Sequence, residues 1–238
     1  LGNIISKVLL NTTVQINLND ISNKPSETDV TMFLYEAGTT NLKYTYTHTI
    51  NRYGNPDTLI LDPKLNYDLV VNTLPRIEKK NIEIIPNTHN TINVDAGQGY
   101  IKVRFINASK PYQIETRVMQ IGDHKTINTQ KIGESDKYLI GTYFIEILTT
   151  PRIYIQTDVT QSSTSNINIK APGFMKYSAG HGITGQVFIQ NDNGTWDWVI
   201  NLKDGGKSGI HQLQPGSYRI IYREKEQMRS EYTLEKDF

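Results

Sequence analysis

From Thr13 onward the chain alternates. Val14, Ile16 and Leu18 are separated by Gln15, Asn17 and Asn19, the period-2 pattern of a strand that buries one face and wets the other. Runs of the same kind recur at 30–35, 100–106, 114–119, 143–148, 185–190 and 196–202. They are rich in β-branched and aromatic residues and are bounded by Gly, Pro, Asn or Asp. Turn-forming clusters, Tyr53-Gly54-Asn55-Pro56-Asp57, Asn191-Asp192-Asn193-Gly194 and Asp204-Gly205-Gly206, break the chain at short intervals. Only the first residues show helical spacing, with Leu1, Ile4, Ile5, Val8 and Leu9 on one helix face. A stretch this short does not hold as an isolated helix, so it predicts either the tail of a helix from a preceding domain or an edge strand or frayed terminus. No strands alternate with long helices, which argues against a doubly wound sheet and predicts an all-β fold.

The alternating runs repeat at long range. Tyr67, Tyr143 and Tyr218 each begin one, at a near-constant spacing. Pro75-Arg76-Ile77 and Pro151-Arg152-Ile153 follow the first two tyrosines, and Ile92 and Ile167, each in a later alternating run, keep the same spacing. Units of this length exceed solenoid repeats and suit small sandwiches. The sequence therefore predicts three tandem Ig-like or fibronectin III-like β-sandwiches over 12–96, 97–170 and 171–238, after an extension at 1–11. Gly97-Gln98-Gly99 and Ala171-Pro172-Gly173 are the expected hinges, too short to act as tethers, so neighbouring domains should abut. Runs at 91–94 and 166–169 close the first two units, and no equivalent precedes Phe238. The third sandwich is expected to lack its final strand, either truncated or supplied by another segment.

The run Leu213-Gln214-Pro215-Gly216-Ser217-Tyr218 explains how such a unit turns its chain. Proline presets φ for the first central turn position, and a glycine can take the positive φ that a type II turn needs at the second. The tyrosine that follows can bury its ring while its hydroxyl reaches back to the backbone upstream, the tyrosine corner of Greek-key sandwiches. Leu139, Gly141 and Tyr143 keep part of the pattern, and Leu61, Pro63 and Tyr67 keep a looser version.

Composition narrows the chemistry. Of 238 residues 37% are hydrophobic, enough to fill such cores, and the 25 basic and 24 acidic residues give a net charge of +1. That balance offers no field to attract nucleic acid or an anionic membrane. The absence of cysteine excludes disulfides, thiolate metal sites and a cysteine nucleophile. No stretch approaches the roughly 18–20 apolar residues of a membrane span, so no membrane insertion is expected. The chain begins at Leu1, which is read as a fragment or a processed form of something longer.

Candidate sites weigh mostly toward structure. His48, His89, His124, His181 and His211 are scattered without ligand spacing and read as surface or loop residues. Asp192, Asn193, Gly194 and Asp197 resemble a calcium loop in composition but lack its spacing, and a hairpin turn fits better. In residues 20–26, DISNKPS, Lys24 stands where a D-x-S-x-S metal motif needs serine. No nucleophile elbow, zinc-protease helix or phosphate loop is present, so no enzyme, metal or cofactor is expected. Two surfaces remain. Trp196, Trp198 and Ile200 share one face of a strand, which makes a sugar-stacking platform if solvated and domain core if buried. Tyr44 and Tyr46 lie in a run without aliphatic residues, KYTYTHT at 43–49, which suggests an exposed edge strand able to accept a partner strand.

The stretches LQPGSYRIIYR (213–223), TTPRIYI (149–155) and NIKAPGF (168–174) together resemble the β-rich segment that follows a von Willebrand factor A domain in some envelope proteins of Bacteroidetes. The units are individually similar to fibronectin III, transthyretin-like and carboxypeptidase-regulatory sandwiches. The resemblance implies export to the cell envelope or beyond, with a scaffolding or adhesive role, and transfers no functional residues. The expected function is a non-catalytic structural or protein-interaction module with a protein partner. The alternative is a carbohydrate-binding module with Trp196 and Trp198 as its floor.

Overall fold

The computed structural model describes residues 12–108, 112–123, 125–227 and 229–238. The helical spacing of residues 1–9 and His124 lie outside them. The chain is all β, with one short 3-10 turn at Ser230–Tyr232 among the described residues.

Seven strands build the first sandwich: β1 (Thr13–Asn19), β2 (Val30–Glu36), β3 (Leu42–His48), β4 (Thr58–Leu59), β5 (Tyr67–Val71), β6 (Ile77–Ile82) and β7 (His89–Asp95). They form two sheets, β4-β1-β7 and β3-β2-β5-β6. The alternating residues Val14, Ile16 and Leu18 of one sheet meet Met32, Leu34, Leu69 and Val71 of the other in one buried cluster. That is the burial the period-2 pattern asks for.

The second sandwich repeats the plan with β8 (Gln98–Ile106), β9 (Glu115–Gln120), β10 (Thr126–Lys131), β11 (Ser135–Leu139), β12 (Gly141–Ile147), β13 (Ile153–Val159) and β14 (Thr164–Lys170). Its sheets are β11-β8-β14 and β10-β9-β12-β13. In both sandwiches the last strand runs parallel to the first, from Thr13↔His89 to Asn19↔Asp95 and from Tyr100↔Thr164 to Ile106↔Lys170.

The third is built from β15 (Gly173–Gln190), β16 (Trp196–Asn201), β17 (Gly206–Leu213), β18 (Tyr218–Glu224) and β19 (Leu234–Asp237). β15 serves both layers. Its first part, Gly173–Ser178, pairs with β17, and after a register shift Ile183–Gln190 pairs with β16 and β18. β15 thus supplies the positions of the first two strands, and β16 to β19 supply the next four. Among the described residues no strand pairs with the second edge of Gly173–Ser178, the position that β7 and β14 hold in the other two sandwiches.

The connections between sandwiches are shorter than the expected hinges. Gln98, Gly99 and Gly173 already lie within strands, so only Ala96-Gly97 and Ala171-Pro172 intervene. The glycine at 99 serves close packing instead of bending: a Cβ there would stand 2.1 Å from the Thr160 carbonyl oxygen. Each junction carries the same backbone bond. The Leu139 amide donates to the Leu74 carbonyl at 2.8 Å, and the Gln214 amide donates to the Thr150 carbonyl at 2.7 Å. Both acceptors precede a cis proline, Pro75 or Pro151, in the repeated Pro-Arg-Ile motif.

Candidate interaction surfaces

The three repeat tyrosines sit at or near the start of corresponding strands, Tyr67 and Tyr218 first in β5 and β18 and Tyr143 third in β12, buried, with hydroxyls turned back onto the chain. Tyr67 donates to the Asp62 carbonyl at 3.0 Å, Tyr143 to Leu139 at 2.8 Å and Tyr218 to Gln214 at 2.5 Å. Burial pushes all three hydroxyl pKa values up to about 12. Leu139 and Gln214 are also the residues whose amides cross the junctions, so each of these two corners fixes a residue that docks on the preceding sandwich. Gly216 does not take the positive φ that a type II turn would need. Its missing side chain instead makes room: a Cβ would stand 3.1 Å from Ile189 Cδ1 and 3.3 Å from the Tyr218 ring. Pro215 opens this tight approach.

A feature the sequence did not announce lies at the first junction. Glu27, in the loop between β1 and β2, is buried by the second sandwich and accepts from the Gln98 amide, the Gln98 side chain, Lys137 at 2.9 Å and the Gln161 side chain. An acid in a polar loop reads as solvated, and only the fold gathers its four donors. Beneath it sits His48, which is buried, contrary to its reading as a surface residue. Its Nδ1 lies 2.5 Å from the Glu27 carbonyl, and its Nε2 accepts from the Leu18 amide at 3.4 Å. That pattern requires Nδ1–H to donate and a neutral ring; burial lowers its pKa, opposed by the bond to Glu27. Beside the same junction a cleft of about 620 Å³ is lined by Asn72, Thr73, Asn128, Asp136 and Lys137, among others.

The tryptophans occupy neither of the two expected settings. A bulge at Val199 pairs Trp198 with Phe188 but Ile200 with Val187, so Ile200 turns into the core while Trp196 and Trp198 stay outside it. An extra residue on one strand reverses the alternation, which period-2 reading cannot foresee. Trp198 is 56% exposed, and its Nε1 donates to Asn201 at 3.1 Å. Trp196 does not add a free second indole: the Arg219 guanidinium lies 4.5 Å over its ring and also binds Asp237.

β3 is an edge strand, with β2 as its only partner among the described residues. Tyr44 and Tyr46 are not displayed on it as a free stripe. Their rings stack 5.9 Å apart and pack partly buried against the first core, with Tyr44 6.1 Å from Tyr67.

The remaining motifs close on themselves. Asp20 accepts from the Ser26 and Ser22 hydroxyls and from the Ser22 and Lys24 amides, and these bonds hold its carboxyl far below the usual range. Asn193 accepts from the amide and hydroxyl of Thr195 in the hairpin between β15 and β16. Among the described residues no three His, Cys, Asp or Glu gather closely enough to hold a metal ion, and no helix is long and apolar enough to cross a membrane.

The third sandwich carries a groove of its own. Beside Gly173–Ser178 lies a groove of about 590 Å³ lined by Met175, Tyr177, Ala179, Ile220, Tyr222 and Phe238, among others. Phe174 at its rim is 60% exposed.

No family model matches the chain, and no curated protein sequence matches it. Among solved structures it is similar to the TIE protein of Bacillus anthracis, at 11% identity and a TM-score of 0.28 over 95% of this chain and 47% of that one. A pilus adhesin of Lactobacillus rhamnosus GG in its open conformation gives 12% identity and a TM-score of 0.27 over 90% and 36%. Two B repeat units of the collagen-binding protein of Staphylococcus aureus give 12% and 0.20 over 86% and 69%. The chain spans less than half the length of the first two. The assignment of all-β, Ig-like sandwiches rests on the sheets themselves.

Proposed function

We propose that this chain is a non-catalytic structural and protein-interaction segment, a stiff run of sandwiches that holds surfaces apart and presents them to a protein partner. The observation that carries this reading is the recurrence of one amide-to-carbonyl bond, Leu139 to Leu74 and Gln214 to Thr150, at both junctions. With two-residue connections, that bond leaves little freedom between neighbours. Topology supports it further. Where first and last strands run parallel, the chain enters a sandwich at one pole and leaves at the other, so successive units add along a line.

Residual dipolar couplings test this reading. A stiff array predicts that amides of all three sandwiches fit a single alignment tensor; three tensors of clearly different magnitude would show independent tumbling and remove the spacer role.

A further inference from the structure

The first junction hangs on a loop that a histidine holds in place. Glu27 receives donors from three separate parts of the second sandwich: Gln98 in β8, Lys137 in β11 and Gln161 in the turn between β13 and β14. The backbone of the same residue is held from below by His48, the last residue of β3, which is 2% exposed. Its Nδ1–H donates to the Glu27 carbonyl and its Nε2 accepts from the Leu18 amide, so the neutral ring ties the loop to β1. A proton added at Nε2 takes the acceptor away from that amide and puts a charge where water does not reach. A better place for a charged ring lies next to it. A cavity of about 50 Å³ beside His48 is also lined by Tyr46, Thr49 and Asp57. Asp57, in the loop after β3, is exposed, and its carboxylate accepts from the Thr49 hydroxyl.

We propose that His48 is an acid-sensitive latch for the first junction: a proton taken from water at Nε2 turns the ring away from Leu18 and the Glu27 carbonyl toward Asp57, and the freed loop lets Glu27 slip from its donors. The groups around the ring set the direction. Burial favours the neutral ring and is the largest effect; the carbonyls of Glu27 and Ile16 and the carboxylates of Asp57 and Glu27 favour the charged one, and the net result is a pKa below the usual histidine value. Tyr46 stays neutral there, because burial raises its pKa, and Lys137 already pairs with Glu27. A histidine free in water takes up its proton at about pH 6.5. Below that pH the released ring binds more protons than the buried one, so acid favours release and the junction weakens as pH falls. The second junction is built differently. Tyr112 donates to the Pro172 carbonyl at 3.0 Å and the Gln214 amide to the Thr150 carbonyl at 2.7 Å, and neither bond uses a group that titrates in mild acid. Acid therefore frees one joint and leaves the other. This regulation rests on the docked, stiff arrangement proposed as the function.

The test uses the 238-residue chain at about pH 7.5 and about pH 5, the range over which a histidine changes charge. Amide hydrogen exchange, corrected for the intrinsic effect of pH, reads each junction. At the lower pH the protection of Gln98 and Leu139 should fall by about tenfold or more while that of Gln214 holds. The His48 ring nitrogens, followed by NMR, should pass from the neutral Nδ1–H form to the charged form over the same range. Asp57→Asn, at an exposed position, removes the acceptor for the charged ring and should move both transitions together to lower pH. Unchanged protection of Gln98, an equal loss at Gln214, or a loss whose midpoint is the same in Asp57→Asn would overturn the latch. Residual dipolar couplings at the higher pH keep the two readings apart: three unrelated tensors there would remove the stiff array, and the protection of Gln98 would still decide the latch.

Discussion

A tyrosine hydroxyl bonded to a carbonyl four or five residues upstream closes a small ring of chain at the foot of a strand. Tyr143 and Tyr218 do so to Leu139 and Gln214, and Tyr67 does so to Asp62. Replacing Tyr143 or Tyr218 by phenylalanine keeps the ring packing but leaves a carbonyl without its donor, at a cost of about 1–2 kcal/mol in unfolding free energy. Alkali should act on the same groups. Their pKa values are raised to about 12 in the folded chain, against about 10 in an unfolded one. Above pH ~10 the unfolded chain releases these protons first, so stability falls as pH rises. Urea midpoints at pH 8 and pH 10.5 should show that loss, and a smaller one in Tyr218→Phe; equal losses would mean that the corner does not set the alkaline limit. These residues were legible because a recurring aromatic after a turn is a local pattern. Glu27 and His48 were not, because their partners lie far off in sequence, out to Gln161 for Glu27 and back to Leu18 for His48.

The strands were readable wherever alternation was unbroken, as in β1 and β12, because one wet and one dry face impose it directly. They were not readable where an added residue shifts the phase, as at Val199, or where one strand serves two layers, as in β15. The glycines at 97 and 99 show a similar ambiguity, since a close approach and a hinge both demand a missing side chain. The two meanings predict different substitutions. Gly99→Ala would drive a Cβ to 2.1 Å from the Thr160 carbonyl oxygen and 2.9 Å from that of Ser163. Backbone atoms cannot rotate aside, so the second sandwich should lose about 1–3 kcal/mol. Gly173→Ala meets nothing within 4 Å and should be close to neutral in the same thermal unfolding experiment. Similar losses in both variants would contradict the packing assignment.

At the scale of the molecule, the near-constant spacing of Tyr67, Tyr143 and Tyr218 was visible because each copy kept its corner. The way copies join was not, because the bonds that do it use main-chain atoms, and every residue carries those. On the proposed reading, their recurrence would join three sandwiches into one body. Each unit advances by a seven-residue last strand and a two-residue connection, about 30 Å at about 3.3 Å per residue. Three units in line reach about 90 Å and give a radius of gyration of roughly 27 Å. A single compact domain of this length would give about 18 Å. Small-angle X-ray scattering on the chain at low concentration decides between them. A radius of about 27 Å with the distance distribution of a rod is the predicted result. A radius of about 18 Å, the compact-domain value, or one that grows with added salt or denaturant well below unfolding, would contradict the stiff linear array.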